Sequence, residues 1–361
     1  MSTTMTRNPI TATGLFSADS HVIEPPDLWR DVLPENFWGS TASTVTPGGG
    51  TDPLRRCDEM AQDGVAAEVL YATLGLRVLG VQDPAAQEAA CRVYNDWLAQ
   101  YCSTAPDRLL GVGLIAAYDA QRAVAEIERC AGLGFKGIMM WQVPHPDLPF
   151  RSHHYDPIWA AAVRLNLPVS LHILSGYEYA VSKVASSPAP SAAGEADAAA
   201  DFRQVDRLQR TVNLKLFAAL DSTLELVVGG VFERFPALKV VIVENEIGWL
   251  PFAVTQWDYF CLKKNTSGGA EQAASGLSKL PSAYVGENIY ATFFRDVLSA
   301  NILQSWGSDT FMWSNDFPHN NSTWPNSREF IEHQLAGVPD EILVKVLRTN
   351  AERLYGQVPE R

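Results

Sequence analysis

The chain has 361 residues, 47% of them apolar, and a formal charge of −13 from 28 basic and 41 acidic side chains. That is ample for a large core, and barrel folds run past about 250 residues as one unit. The acidic balance excludes a binder that works by neutralising nucleic-acid phosphates, and no apolar run approaches the roughly 18 residues of a membrane-spanning helix.

Residues 1–13 are polar and lack the apolar stretch of a secretory leader. The five cysteines (Cys57, Cys91, Cys102, Cys130, Cys261) are scattered, odd in number and without a CxxC pair, as expected of reduced thiols in a cytoplasmic protein. Short apolar runs at 15–19, 67–71, 109–114, 137–141, 168–172, 240–244, 289–292 and 311–314 read as strands covered on both faces. Helical periodicity separates them over 85–105, 118–133 and 214–232, and returns over 340–355; Pro157 opens a further helix. Eight strands interleaved with helices predict parallel crossovers, most simply an α/β fold of the (β/α)8 TIM-barrel type, spanning 1–361 as one domain. The rival, an open doubly wound sheet, lacks a glycine-rich turn after the first strand. Loop insertions are expected near 44–53, 182–200 and 266–281, the second of them a lid at the active end of the barrel or a plain solvated insertion.

The chemistry-bearing signal is positional. Asp19-Ser20-His21 ends the first strand, His172 the fifth and Glu244 the sixth, and Asp316 follows the eighth. In a barrel these ends meet at one mouth. A lone carboxylate or imidazole is costly to bury there, whereas several together are tolerable around a cation. Alternate residues of a strand share a face, so Asp19 and His21 can point at one ion. Glu246 and His319 are further candidate ligands. Glu24 is read as stabilising its Pro-rich turn or orienting His21, and Glu68 as lying away from the mouth. His153 and His154 read as surface residues, and nothing in the pattern singles out His145 or His333.

Asp19-Ser20-His21-Val22-Ile23-Glu24-Pro25-Pro26-Asp27-Leu28-Trp29, His172, Trp313-Ser314-Asn315-Asp316-Phe317-Pro318-His319 and Asn350-Ala351-Glu352-Arg353-Leu354-Tyr355 together resemble the amidohydrolase superfamily, in its amidohydrolase-2 branch of metal-dependent hydrolases and decarboxylases. The resemblance implies a distorted barrel with its metal at the C-terminal mouth. This chain departs from the branch in opening with Asp19-x-His21 rather than His-x-His or Glu-x-His. It also carries Glu244 where the branch has a sixth-strand histidine, and Met139, Met140 and Trp141 where a carbamylated lysine would end the fourth strand.

Two imidazoles against three carboxylates, or four with Glu246, leave one divalent ion outnumbered and two balanced. Oxygen donors with imidazole suit iron or manganese as well as zinc. The inventory is similar to that of amidohydrolase-like barrels with a non-haem di-iron centre, such as the monooxygenase of platensimycin and platencin biosynthesis. That likeness implies two iron ions, dioxygen, an external electron donor, and hydroxylation of a bulky, terpenoid-like, CoA-linked small molecule, with Asp316 and Glu244 catalytic. Trp141, Tyr177, Tyr179, Trp249, Phe293, Phe294 and Trp313 would then line an apolar pocket. Arg203, Arg207, Arg210, Lys215, Lys263 and Lys264 would meet CoA phosphates. Two other readings stay open. One is a mononuclear zinc or manganese hydrolase or decarboxylase with Asp316 as general base; the other is a barrel that binds a ligand without catalysis. No membrane or nucleic-acid partner is expected, and assembly into a homo-oligomer is left open.

Overall fold

The computed structural model describes residues 14–34, 37, 48–177, 196–263 and 276–358. All eight predicted strands are present: β1 (Leu15–Val22), β2 (Val65–Ala72), β3 (Leu109–Leu114), β4 (Gly137–Val143), β5 (Val169–Gly176), β6 (Val240–Val243), β7 (Ile289–Phe293) and β8 (Phe311–Trp313). They pair in parallel in sequence order, one to eight. Backbone bonds beyond the ladder draw the last strand to the first. Asp316 N–H donates to the Asp19 carbonyl at 3.1 Å, and His21 N–H to the Phe317 carbonyl at 2.6 Å. The result is the expected (β/α)8 barrel.

Twelve helices accompany the strands among the described residues. Before β6 lie α1 (Pro53–Asp63), α2 (Pro84–Cys102), α3 (Ala120–Gly132), α4 (Asp156–Leu165), α5 (Ala196–Val228) and α6 (Val231–Arg234). After it come α7 (Leu250–Leu262), α8 (Pro281–Glu287), α9 (Ser299–Ser305), α10 (Ser327–Gln334), α11 (Asp340–Val344) and α12 (Asn350–Tyr355). Aspartates start the first three. Asp52, Asp83 and Asp119 each accept backbone N–H groups of the first turn that have no partner inside the helix.

Three expectations shift at their edges. The predicted 214–232 helix is longer and broken: α5 begins at Ala196, and Gly229-Gly230 separates it from α6. Residues 196–200 of the expected second insertion are thus helical, in keeping with Ala198-Ala199-Ala200, the best helix formers; residues 182–195 lie outside the described part. The expected 340–355 helix contains a π turn over Lys345–Thr349. The first insertion closes at Pro53 and the third at Pro281, each of which opens a helix. Residues 44–47 and 266–275 lie outside the described part.

One buried ion pair ties the layers together beneath the mouth. Arg56 of α1, wholly buried, donates to Glu68 of β2 at 2.6 Å and to the His21 carbonyl at 2.6 Å. Glu68 also accepts from the Asn315 side chain at 3.0 Å. The Asn315 side-chain oxygen in turn takes the hydroxyls of Ser17 at 2.9 Å and Ser20 at 2.7 Å. Glu68 is therefore structural, as its place low in β2 suggested. Among the described residues no helix is long and apolar enough to cross a membrane, and the five cysteines form no disulfide.

Removing one member of a buried pair leaves the other charged and unsatisfied. Arg56→Met should therefore cost about 3–5 kcal/mol in urea unfolding, and adding Glu68→Gln should recover part of the loss. Arg56→Met unfolding within about 1 kcal/mol of the unmodified chain would show that the pair holds nothing together.

Candidate metal centre

Four of the predicted residues point into one buried space at the mouth. Asp19, His21, His172 and Asp316 are each 0% exposed. The Nε2 of His21 lies 3.6 Å from Asp19 Oδ1 and 3.6 Å from Asp316 Oδ1. The Nε2 of His172 lies 3.6 Å from Asp19 Oδ1 and 3.8 Å from Glu244 Oε2. Asp19 and His21 do share a face of β1, as the Asp-x-His spacing requires.

Local structure fixes each ligand atom. His21 Nδ1 bonds to the Ala72 carbonyl at 2.8 Å, and His172 Nδ1 to the Ile173 carbonyl at 2.8 Å. A ring nitrogen facing a carbonyl must carry the proton, so both Nε2 atoms turn lone pairs toward the carboxylates. Glu244 and Asp316 sit at φ 60° and 54°, in the left-handed region. Each costs about 1–3 kcal/mol there, strain of the kind found at functional sites. The Glu244 N–H is held by the Thr292 hydroxyl at 2.9 Å.

His172 is set by a bulge in β5. Trp141 of β4 pairs with His172, and Val143 with Gly176, so Gln142 alone stands opposite three residues. The Ser175 hydroxyl closes the bulge, donating to the His172 carbonyl at 2.6 Å and accepting the Gln142 N–H at 3.0 Å.

Both oxygens of Asp19, the Nε2 atoms of His21 and His172, and Asp316 Oδ2 are buried without a hydrogen-bond partner. Unpartnered buried acceptors are costly, and five aimed at a common space fit a cation. The ligand atoms of Asp19, His21, His172 and Glu244 lie within 4.8 Å of one another, as do those of His21, Glu244, Asp316 and His319. His319, however, is already engaged. Its Nδ1 is 2.7 Å from Asp316 Oδ1 and its Nε2 3.4 Å from the Thr73 hydroxyl.

The charges push one another. Burial, with the Asp316 and Asp19 carboxylates, drives Glu244 up to about 8. Burial raises Asp316 as well, against the pull of His319. Burial and the neighbouring imidazoles of His319 and His172 hold His21 well below its usual value, as a neutral ligand. For His319, burial opposes the charged form but Asp316 outweighs it and raises the pKa.

Glu246 is not brought into the cluster. It also sits at positive φ, and its carboxylate accepts the N–H groups of Phe294 at 3.1 Å and Arg295 at 3.4 Å, organising the β7 loop. Glu24 takes the N–H groups of Thr73, Leu74 and Gly75 at 3.2, 3.0 and 2.9 Å. Those donors lie in the turn after Ala72, so Glu24 stabilises that loop. Of the expected aromatic lining, Trp141, Phe293, Phe294 and Trp313 are buried. Trp249 donates to the Asn245 and Glu246 carbonyls at 3.1 and 3.2 Å, Tyr177 packs on His145, and Tyr179 lies outside the described part. Sequence reasoning missed Arg56, Asn315 and Thr292, whose roles come from partners far away in the chain.

Asp19→Asn and His172→Ala should each weaken manganese or zinc binding by upwards of about 100-fold, read by metal analysis after dialysis. Burial also raises Asp316, whose carboxylate the cation needs free of its proton, so affinity should rise with pH. In cation-free protein the sign for stability is opposite. The folded state holds a proton on Glu244 that the unfolded state has lost, so stability should fall as pH rises through about 8. A cation affinity that does not vary with pH would contradict this assignment.

Comparison with known proteins agrees with the barrel and redirects the chemistry. The amidohydrolase-2 family profile, described as amidohydrolase, matches residues 21–357. The gamma-resorcylate decarboxylase of Rhizobium sp. strain MTP-10005 is 25% identical over 290 residues, covering 72% of this chain and 74% of that protein. The crystal structure of dihydroxybenzoic acid decarboxylase from Polaromonas sp. JS666, with bound manganese and the inhibitor 2-nitroresorcinol, superposes with TM-score 0.69 at 20% identity, covering 95% and 97% of the two chains. That of 5-carboxyvanillate decarboxylase from Sphingomonas paucimobilis gives 0.69 at 22%, covering 95% and 99%.

The expected di-iron monooxygenase, with its CoA-linked terpenoid substrate and external electron donor, is therefore corrected: these relatives are decarboxylases. The fourth carboxylate that called for a second ion, Glu246, is bound to backbone instead. No cationic CoA site is assembled among the described residues. Lys263 lies over the Tyr259 and Phe260 rings on α7, whereas Lys215 is a neighbour of Glu246. The side chains of Arg203, Arg207 and Arg210, and all of Lys264, lie outside the described part. With its profile match running nearly end to end, the chain belongs to the amidohydrolase family and is an enzyme.

Proposed function

We propose that this enzyme is a divalent-metal-dependent decarboxylase of hydroxylated aromatic acids, working without an external oxidant. The observation that carries the reading is the set of buried, unpartnered ligand atoms on Asp19, His21, His172 and Asp316, with Glu244 beside them. Similarity to decarboxylases of dihydroxybenzoate and carboxyvanillate supports the substrate class.

Charge counting favours one ion. Asp19, Glu244 and Asp316 bring three negative charges, and the proton that burial keeps on Glu244 leaves these carboxylates at −2. One divalent cation neutralises that, and mixed oxygen and imidazole donors suit manganese or zinc. A second ion would need a ring nitrogen of His319, and both are engaged. Asp19, His21, His172 and Asp316 would hold the ion. Bound there, it supplies a Lewis acid for the carboxylate and neighbouring hydroxyl oxygens of the substrate.

The residues of the chain do the rest. In decarboxylation the bond between ring and carboxyl carbon breaks, the electron pair stays on the ring carbon, a proton replaces the carboxylate there, and carbon dioxide leaves. Glu244 suits the delivery of that proton. Its Oε2 faces the cluster, and a pKa of about 8 keeps it protonated at neutral pH. Its side chain is 13% exposed, so it reprotonates from the mouth. Asp316 and His319, paired at 2.7 Å, hold the opposite wall of the cluster in place.

Manganese-loaded protein should release carbon dioxide from 2,6-dihydroxybenzoate or 5-carboxyvanillate with no uptake of dioxygen. Glu244→Gln should keep its manganese and lose about 100-fold or more in kcat. Full turnover by Glu244→Gln would remove Glu244 as the proton source, and no carbon dioxide from any hydroxybenzoate would remove the decarboxylase reading.

A further inference from the structure

Across the eight strands one side chain alone is exposed, and it is a leucine. Leu174 is 43% exposed between buried neighbours. It lies two residues past His172, at the barrel end where the candidate ligands meet. Its φ is 64°, a conformation that strains a bulky side chain. Two residues on, at φ 111°, the chain places Gly176, where a Cβ would fall 2.1 Å from the Val143 carbonyl oxygen. Glycine thus serves where the bulge demands it, and at 174 a leucine bears the strain.

The polar groups of the bulge are accounted for. The Ile173 carbonyl takes the His172 ring, and Ser175 bonds to His172 and Gln142. What remains is an exposed apolar side chain two residues beyond a candidate metal ligand, at the C-terminal end of its strand. Bulges next to active sites re-aim side chains in this way. Strain kept at such a place has a functional reason more often than a structural one.

We propose that Leu174 is the apolar wall against which the aromatic ring of the substrate packs, and that its bulk sets which ring substituents the site accepts. This rests on the decarboxylase reading of the same site. A planar ring whose oxygens are fixed by the cluster needs an apolar surface flanking its face or edge, and Leu174 supplies one within two residues of a ligand.

The test uses manganese-loaded full-length protein, with 2-nitroresorcinol and a series of 2-hydroxybenzoates of increasing ring substitution as probes, followed by calorimetry and by carbon dioxide release. Leu174→Ala should weaken binding of the best acid about 10-fold and shift preference toward larger substituents, while Leu174→Phe should shift it toward smaller ones. Leu174→Gly separates wall from scaffold: it should unfold at the same or a higher temperature, because glycine suits φ 64°, yet bind the ring more weakly. Affinity and KM unchanged in Leu174→Ala and Leu174→Phe would overturn the proposal, as would failure of the unmodified protein to bind any member of the series. Ring binding that responds to residue 174 without carbon dioxide release would sink the decarboxylase reading and leave Leu174 standing.

Discussion

Three carboxylates gathered about two imidazoles in a buried space repel one another, and the fold must answer that repulsion. The barrel does so in two ways. It fixes each imidazole through its Nδ1 on a backbone carbonyl, so that lone pairs rather than protons face inward. It also lifts Glu244 and Asp316 until protons or a cation can share the space with them. Left-handed φ at both residues, the bulge after His172 and the ion pair of Arg56 with Glu68 all serve to hold that crowding still.

Much of this was legible in the sequence. Short apolar runs marked every strand, as expected of parallel strands covered on both faces. A charged residue ending such a run stood out for the same reason, which is how Asp19, His172 and Glu244 declared themselves. Asp316 stood out likewise, just past the end of the eighth run. The helices between β6 and β8 were less visible. Leu250–Leu262 is apolar on most sides, and Pro281–Glu287 and Ser299–Ser305 are seven residues each, too short for periodicity to register.

What stayed hidden was set by direction and distance. Glu246 follows Glu244 by two residues, and a regular strand would turn both the same way. Here both backbones leave the strand with positive φ, and Glu246 swings to the β7 loop. Counting it as a ligand produced a fourth carboxylate, a second ion and hence an oxygenase. Arg56 resembles any helix-surface arginine until β2 supplies Glu68 and β1 supplies a carbonyl. Composition near a site is thus a weak guide to its charge; the backbone decides which side chains belong.

The seam between β1 and the chain beyond β8 has a consequence for synthesis. Asp19 and His21 emerge from the ribosome early, yet the backbone bonds that seat them come from Asp316 and Phe317, almost 300 residues later. The first-made strand therefore waits with its acidic end unneutralised until the last one arrives. Cation capture belongs to the close of folding, and a nascent chain stalled before residue 316 has nowhere complete to put it.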